Sequence, residues 1–176
     1  MYTFNGKGEF TLIETEDDFF NLQGRMVQIT DERDQLVAAT VFSAIVVMEN
    51  NSDTVQFQVS RRGVDVLING ERLVFGDLQE LTLNGVTVSS LGNNTYAATF
   101  GSGAYVQVRE ELEYLSVLIV SLPDSFRNRT RGLMGTFNGD TSDDLLPRNG
   151  SSPLSLDSTL QTIHEEFGLT CKCSFQ

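Results

Sequence analysis

Apolar and polar residues alternate along most of the chain with a period of two, and turn dipeptides cut the alternation into short runs. In Val55-Gln-Phe-Gln-Val59 the apolar side chains share one face and both glutamines the other, as in a half-buried strand. Asn-Gly pairs recur at 5–6, 69–70, 84–85, 138–139 and 149–150. Two of them separate strand-like runs. Val64-Asp-Val-Leu-Ile68 and Glu71-Arg-Leu-Val-Phe75 flank Asn69-Gly70, while Leu81-Thr-Leu83 and Val86-Thr-Val88 flank Asn84-Gly85. Type I′ turns need positive φ at both central residues, which Asn and Gly tolerate, so both sites predict tight hairpins. Further strands are predicted at 8–14, 19–29, 38–48, 54–60, 95–100, 104–109 and 113–121. The run from Leu115 to Val120 is apolar apart from Ser116, which predicts a strand covered on both faces.

Helix signals are short and late. Pro123 to Arg131, with Pro123 at the start and Gly132 as a stop, predicts about two turns. Leu156, Leu160, Ile163 and Phe167 recur at helical spacing, with Asp157 as N-cap and Gly168 as terminator. No internal repeat, low-complexity tract or linker divides the chain. The pattern predicts one mainly β domain over residues 1–176. Its architecture is two packed antiparallel sheets, sandwich-like, with one or two short helices near the C-terminus.

Composition narrows the function. The 176 residues are 40% hydrophobic, enough for one real core, and contain no Trp. Twenty-four acids against 12 bases give a net charge of −12, which repels nucleic acid and anionic membranes alike. The longest apolar stretch, Val41 to Met48, is too short to cross a bilayer. Met1 runs directly into strand-like residues with no signal peptide, so the chain reads as a piece excised from something larger. Cys171 and Cys173 are the only cysteines and His164 the only histidine, which rules out a disulfide scaffold and a four-ligand zinc site. The two cysteines are too close for an easy mutual bridge; they read as bonding to other parts of a parent chain, or as free thiols. Asn-X-Ser/Thr acceptors begin at Asn50, Asn93, Asn128 and Asn149, all in polar, turn-like surroundings. They read as N-glycosylation sites of a secreted protein, or as chance sequons in Asn-rich turns.

The densest chemistry lies in Gly132-Leu-Met-Gly-Thr-Phe-Asn-Gly-Asp-Thr-Ser-Asp-Asp-Leu-Leu146. Asn138, Asp140, Asp143 and Asp144 place four oxygen-bearing side chains around the Gly139 turn. Three close carboxylates with no intervening Lys or Arg repel one another unless a hard cation joins them. Calcium, which takes six to eight oxygens in flexible geometry, suits such a loop. The spacing is not that of an EF-hand. These residue types equally allow a solvated turn in which Asn and Asp bond their own backbone.

This stretch resembles the signature Gly-Leu-Cys-Gly-Asn-Phe-Asn-Gly-Asp-x-x-Asp-Asp-Phe of von Willebrand factor type D domains. The opening Tyr2-Thr-Phe-Asn-Gly-Lys-Gly-Glu-Phe10, Leu22-Gln-Gly-Arg25 and the ending Phe167-Gly-Leu-Thr170 resemble the branch found in transmembrane mucins and sushi-domain membrane proteins, where the module follows an AMOP domain. The resemblance covers nearly the whole chain. It implies a two-sheet β fold with calcium held by Asn138, Asp140, Asp143 and Asp144. Thr136 stands where many members have Asn, and Met134 where they have a Cys that often anchors the loop. The Gly-Asp-Pro-His segment that normally opens the family's domains is absent, so the resemblance implies that the domain's start lies outside this sequence. Its Asp is commonly a further calcium ligand, and its Asp-Pro bond is cleaved in some members.

The expected function is a non-enzymatic extracellular or cell-surface module of a mucin-like or adhesion protein, stabilised by calcium. Its partners would be neighbouring domains of the parent, other extracellular proteins or matrix, without nucleic acid or membrane insertion. The alternative is a calcium-dependent carbohydrate- or matrix-binding module, for which the loop offers only Phe137 as an aromatic. No nucleophile elbow, His-Glu-x-x-His or phosphate loop supports an enzyme. His164, beside Glu165 and Glu166, reads as a surface residue, and Arg61-Arg62 and Arg127, Arg129 and Arg131 as partners of nearby acids, with a seat for a sulfated glycan as the alternative.

Overall fold

The computed structural model describes residues 3–31, 33–76 and 79–175; Met1 and Tyr2 of the opening motif lie outside them. Among the described residues, twelve antiparallel strands join in one branched, hydrogen-bonded network. They are β1 (Gly8–Thr15), β2 (Phe20–Thr30), β3 (Leu36–Glu49), β4 (Val55–Ser60), β5 (Gly63–Ile68), β6 (Glu71–Arg72), β7 (Glu80–Thr82), β8 (Val86–Gly92), β9 (Thr95–Phe100), β10 (Tyr105–Glu111), β11 (Tyr114–Ser121) and β12 (Thr130–Arg131). The order runs β12-β1-β2-β3-β11-β10-β9-β8-β7, and β4, β5 and β6 leave the same β3.

The branch at β3 makes the two layers. Residues Ala44 to Val47 pair with β4, whereas Phe42 pairs with Leu115 of β11. One ladder therefore forks into two arms, which curl over a common core. That core draws Phe57 and Val66 from one arm, Val88, Ala98 and Val106 from the other, and Phe10, Leu22 and Ile45 from the trunk. Phe10, Phe20, Phe57 and Phe167 are wholly buried, and each such ring stabilises the fold by roughly 1.5–3 kcal/mol through area removed from water. Phe20 sits edge-on to Phe100 and 5.6 Å from Phe126, tying trunk, arm and the turn after β11 together.

Several expectations are refined by the structure. The Asn69-Gly70 hairpin has positive φ at both residues, as a type I′ turn requires. At Asn84-Gly85 only Gly85 has positive φ. Asn84 is held otherwise: its amide N–H donates to Asp53 (3.2 Å), its carbonyl accepts from the Asp53 N–H (2.8 Å), and its side chain donates to Asn51 (3.2 Å). β11 is not covered on both faces, since Leu115 is buried but Ile119 is 46% exposed. It meets β3 only at Leu115 and then diverges.

The expected helix over 123–131 shrinks to a single 3-10 turn, Asp124–Phe126. Asn128 adopts φ 60° and Thr130 and Arg131 are recruited as a strand beside β1, so the helix cannot propagate. The later helix begins at Leu160, capped by Thr159 rather than Asp157. It continues through a π turn, Ile163–Phe167, and a 3-10 turn, Gly168–Cys171, which together bury Ile163, Phe167 and Cys171. His164 is stacked on Phe4 at 5.1 Å, half-buried rather than on the open surface. Among the described residues no helix is long and apolar enough to cross a membrane.

The C-terminal tail returns to β1. Lys172 bridges to Phe10, the Cys173 N–H donates to the Glu9 carbonyl (2.9 Å), and the Phe175 N–H donates to the Glu9 carboxylate (2.8 Å). Both cysteines are free, and burial pushes the Cys171 thiol up to about 11. Burial also raises Glu9, but the Phe175 amide and the Arg25 guanidinium outweigh it and hold the carboxyl below its ordinary 4.5. A depressed acid contributes its stability above the unfolded value and loses it as pH falls through the folded one. Acidification below pH 4.5 is therefore expected to free the tail, seen as loss of amide protection at Cys173 and Phe175. Glu9→Gln should show the loose tail at neutral pH and no acid step.

Candidate functional site

The acidic loop leaves β12 and must turn back at once against β1. At Gly132, φ is 128° and an added Cβ would lie 2.6 Å from the Leu12 carbonyl oxygen, so only glycine permits the approach. The approach makes two backbone bonds, Leu133 N–H to Thr11 (3.1 Å) and Met134 N–H to Leu12 (2.9 Å). At Gly135, φ is 81° and a Cβ would stand 2.5 Å from the Asp144 carboxylate. Gly132 and Gly135 are thus the places where the loop touches β1 and its own far end.

Inside the loop the four expected ligands divide. Asn138 donates its side-chain amide to Asp143 (2.8 Å) and accepts the Asp140 N–H (2.7 Å). Asp140 is exposed and caps the 3-10 turn Thr141–Asp143 by accepting the Ser142 N–H (2.9 Å). That bond, with the Ser142 hydroxyl, holds its carboxyl below the usual carboxylate range. Asp144 accepts the Thr136 N–H (3.1 Å). Asp143 Oδ1 is shielded from solvent and has no hydrogen-bond partner among the described residues. Asn138 and Asp143 are therefore together, Asp144 is tethered across the loop, and Asp140 faces water. Among the described residues, no three Asp, Glu, His or Cys side chains converge in a metal-holding arrangement.

Phe137 is half-buried, with the Arg127 guanidinium 4.9 Å above its ring. Met134, in the position of the family's anchoring Cys, is 51% exposed and takes no part in the core. Thr136 contributes through its backbone N–H. Asn50, Asn93, Asn128 and Asn149 are all exposed.

What fixes the loop is a group that the sequence reading did not single out. Glu14 of β1 is 2% exposed and accepts three N–H bonds. Arg131 supplies one (2.7 Å) and Arg148 two (2.9 and 2.7 Å). Arg131 immediately precedes Gly132, and Arg148 follows Leu145, itself wholly buried. Both ends of the acidic loop are pinned to one carboxylate. The only sequence signal is an acid closing the apolar run Leu12-Ile13, with arginines bracketing the motif.

The sequence profile of the von Willebrand factor type D domain matches residues 1–151. The chain belongs to the von Willebrand factor type D family. Human sushi domain-containing protein 2 is 33% identical over 85% of this chain, which spans 18% of that protein. Protein mesh of Bombyx mori is 32% identical over 95% of the chain and 11% of its own length. Human mucin-4 is 32% identical over 86% of the chain and 3% of its own length. This type D domain thus corresponds to a small part of much longer relatives, two of which carry the sushi and mucin names of the branch its motifs resemble.

Neutralising Glu14 tests the pinning. Glu14→Gln keeps the shape but leaves two guanidinium groups against an uncharged side chain. The expected cost is about 3 kcal/mol, the low end for a broken buried pair because both arginines retain contact with water. Denaturant unfolding measures it, and amide exchange should quicken first between residues 132 and 148.

Proposed function

We propose that this type D domain is a non-enzymatic extracellular structural module of a larger mucin-like or adhesion protein, and that a calcium ion completes its acidic loop. The observation that carries the calcium reading is Asp143 Oδ1, a shielded carboxylate oxygen without a partner beside the Asn138 amide. An unpaired buried carboxylate oxygen is costly, and a hard cation is the natural partner for it. Asn138, Asp143 and Asp144 would hold the ion from the loop. Asp140 would join them on giving up its cap on Ser142. The ion would add positive charge where three acids crowd a loop already fixed at both ends, so its role is to hold shape for contacts with neighbouring domains.

The family membership and the company of sushi-, mesh- and mucin-named relatives support an extracellular or cell-surface setting. Calcium-dependent glycan binding at this loop is less well supported, because its one aromatic, Phe137, lies under Arg127. The four exposed acceptor asparagines fit an N-glycosylated module.

Excess calcium should stabilise the domain by about 2.7 kcal/mol at a hundred times its dissociation constant, relative to chelator. Thermal melts with and without metal read this, and Asp143→Asn should remove most of the shift. Identical melting temperatures in chelator and millimolar calcium would sink the calcium reading. Separately, expression through a secretory pathway should give a chain whose mass falls on enzymatic N-deglycosylation. Replacing Asn50, Asn93, Asn128 and Asn149 by Gln should abolish that fall.

A further inference from the structure

The face of β1, β2 and β3 turned away from the core is polar, and part of it is enclosed. Register places Thr11 opposite Gln23 and Glu14 opposite Asn21, with Met48 next across the ladder from Asn21. Over these rows lie the Arg148 segment and the tail at 173–175, leaving a cleft of about 550 Å³. That volume lies within the roughly 300–1,000 Å³ usual for small-molecule sites.

Two side chains in this cleft are incomplete. Gln23 is only 4% exposed, and its Oε1 has no hydrogen-bond partner among the described residues. The Oδ1 of Asn21, also shielded from solvent, has none either. Most shielded polar atoms in folded proteins are paired, so two orphans lining one cleft mark a place where something else supplies the bonds.

The lining constrains what that is. A metal ion does not fit, since no three acids, histidines or cysteines converge among the described residues. An organic cation would find only a weak, solvent-screened attraction, because Glu14 is satisfied by two arginines and the other lining carboxylate, Asp18, is exposed. An anion would need free guanidinium donors, and Arg148 has committed Nε and Nη2 to Glu14. A peptide adding as a strand needs a sheet edge, whereas β2 is bonded on both sides and offers only its face. A hydroxyl remains. It both donates and accepts, so it meets a carboxamide in either orientation of the amide. Met48 and Phe175, whose ring also carries the Arg25 guanidinium at 4.5 Å, line the same cleft beside the carboxamides.

We propose that this cleft binds a neutral, hydroxyl-rich ligand, a sugar unit, through the Asn21 and Gln23 carboxamides. The site is separate from the acidic loop and does not require its metal.

The test is a titration of the isotopically labelled 176-residue chain, in chelator, with glucose, galactose and N-acetylglucosamine, followed by NMR. At least one sugar is expected to shift the side-chain NH₂ signals of Asn21 and Gln23 and the backbone amides of Ser174 and Phe175 together and saturably. Asn21→Ala, at the half-buried mouth, removes the carboxamide and should weaken that sugar about tenfold, as should Gln23→Met if it folds. Silence of these signals towards all three sugars would overturn the proposal, leaving the cleft to water. So would shifts that persist unchanged in Asn21→Ala. Tighter binding of glucosamine or glucuronate than of the neutral sugars would overturn the assignment of a neutral ligand. Because chelator is present throughout, a failed calcium melt leaves this result unaffected.

Discussion

The carboxylate of Glu14 is the point on which the rest of the molecule is hung. It lies in the strand that carries the trunk of the sheet, yet it faces away from the apolar core and holds two arginines from one short stretch of chain. Buried ion pairs rarely add much net stability over an apolar alternative. Their value is directional, because a guanidinium fork accepts its partner in few orientations. Here that directionality fixes where the acidic loop begins and ends. It also forms one wall of the polar cleft. Replacing the group by apolar residues would keep the sheet and lose the placement of everything attached to its outer face.

The strands were legible because a half-buried strand writes itself as alternation. The runs at 8–14, 54–60 and 95–100 match β1, β4 and β9 to within a residue or so. Errors arose where tertiary contacts compete with local preference. Thr130 and Arg131 carry no strand signature and pair with β1 because the loop that follows must reach Leu12. Leu115 to Val120 is apolar enough for a doubly covered strand, but the fork at β3 leaves its far end open. No periodicity encodes a fork. It depends on which neighbour each half of β3 selects.

The acidic loop was visible as composition, and its glycines as turn chemistry. Which acids point together was not visible, because Asn and Asp serve backbone capping and cation binding with the same oxygens. Asp140 and Ser142 illustrate the first use and the unpaired oxygen of Asp143 leaves room for the second. Glu14 and its arginines were illegible for a different reason. More than 110 residues separate Glu14 from either arginine, and one alignment of the chain in space creates the triad.

The bridge between Phe10 and Lys172 has a mechanical consequence. The tail runs antiparallel to the start of β1, so the first residues of β1 and the last described residues of the tail lie at the same end of the pair. A pull applied to the two would load their bonds one after another, as in opening a zipper, rather than all at once as in shearing a strand. Once the Phe4 ring had left His164, the contacts of Phe175, Cys173 and Lys172 would part in that order. The forked sheet behind them would feel little until they had parted. The tail would then serve as a fuse, uncovering the polar face of the trunk under tension that leaves the core intact.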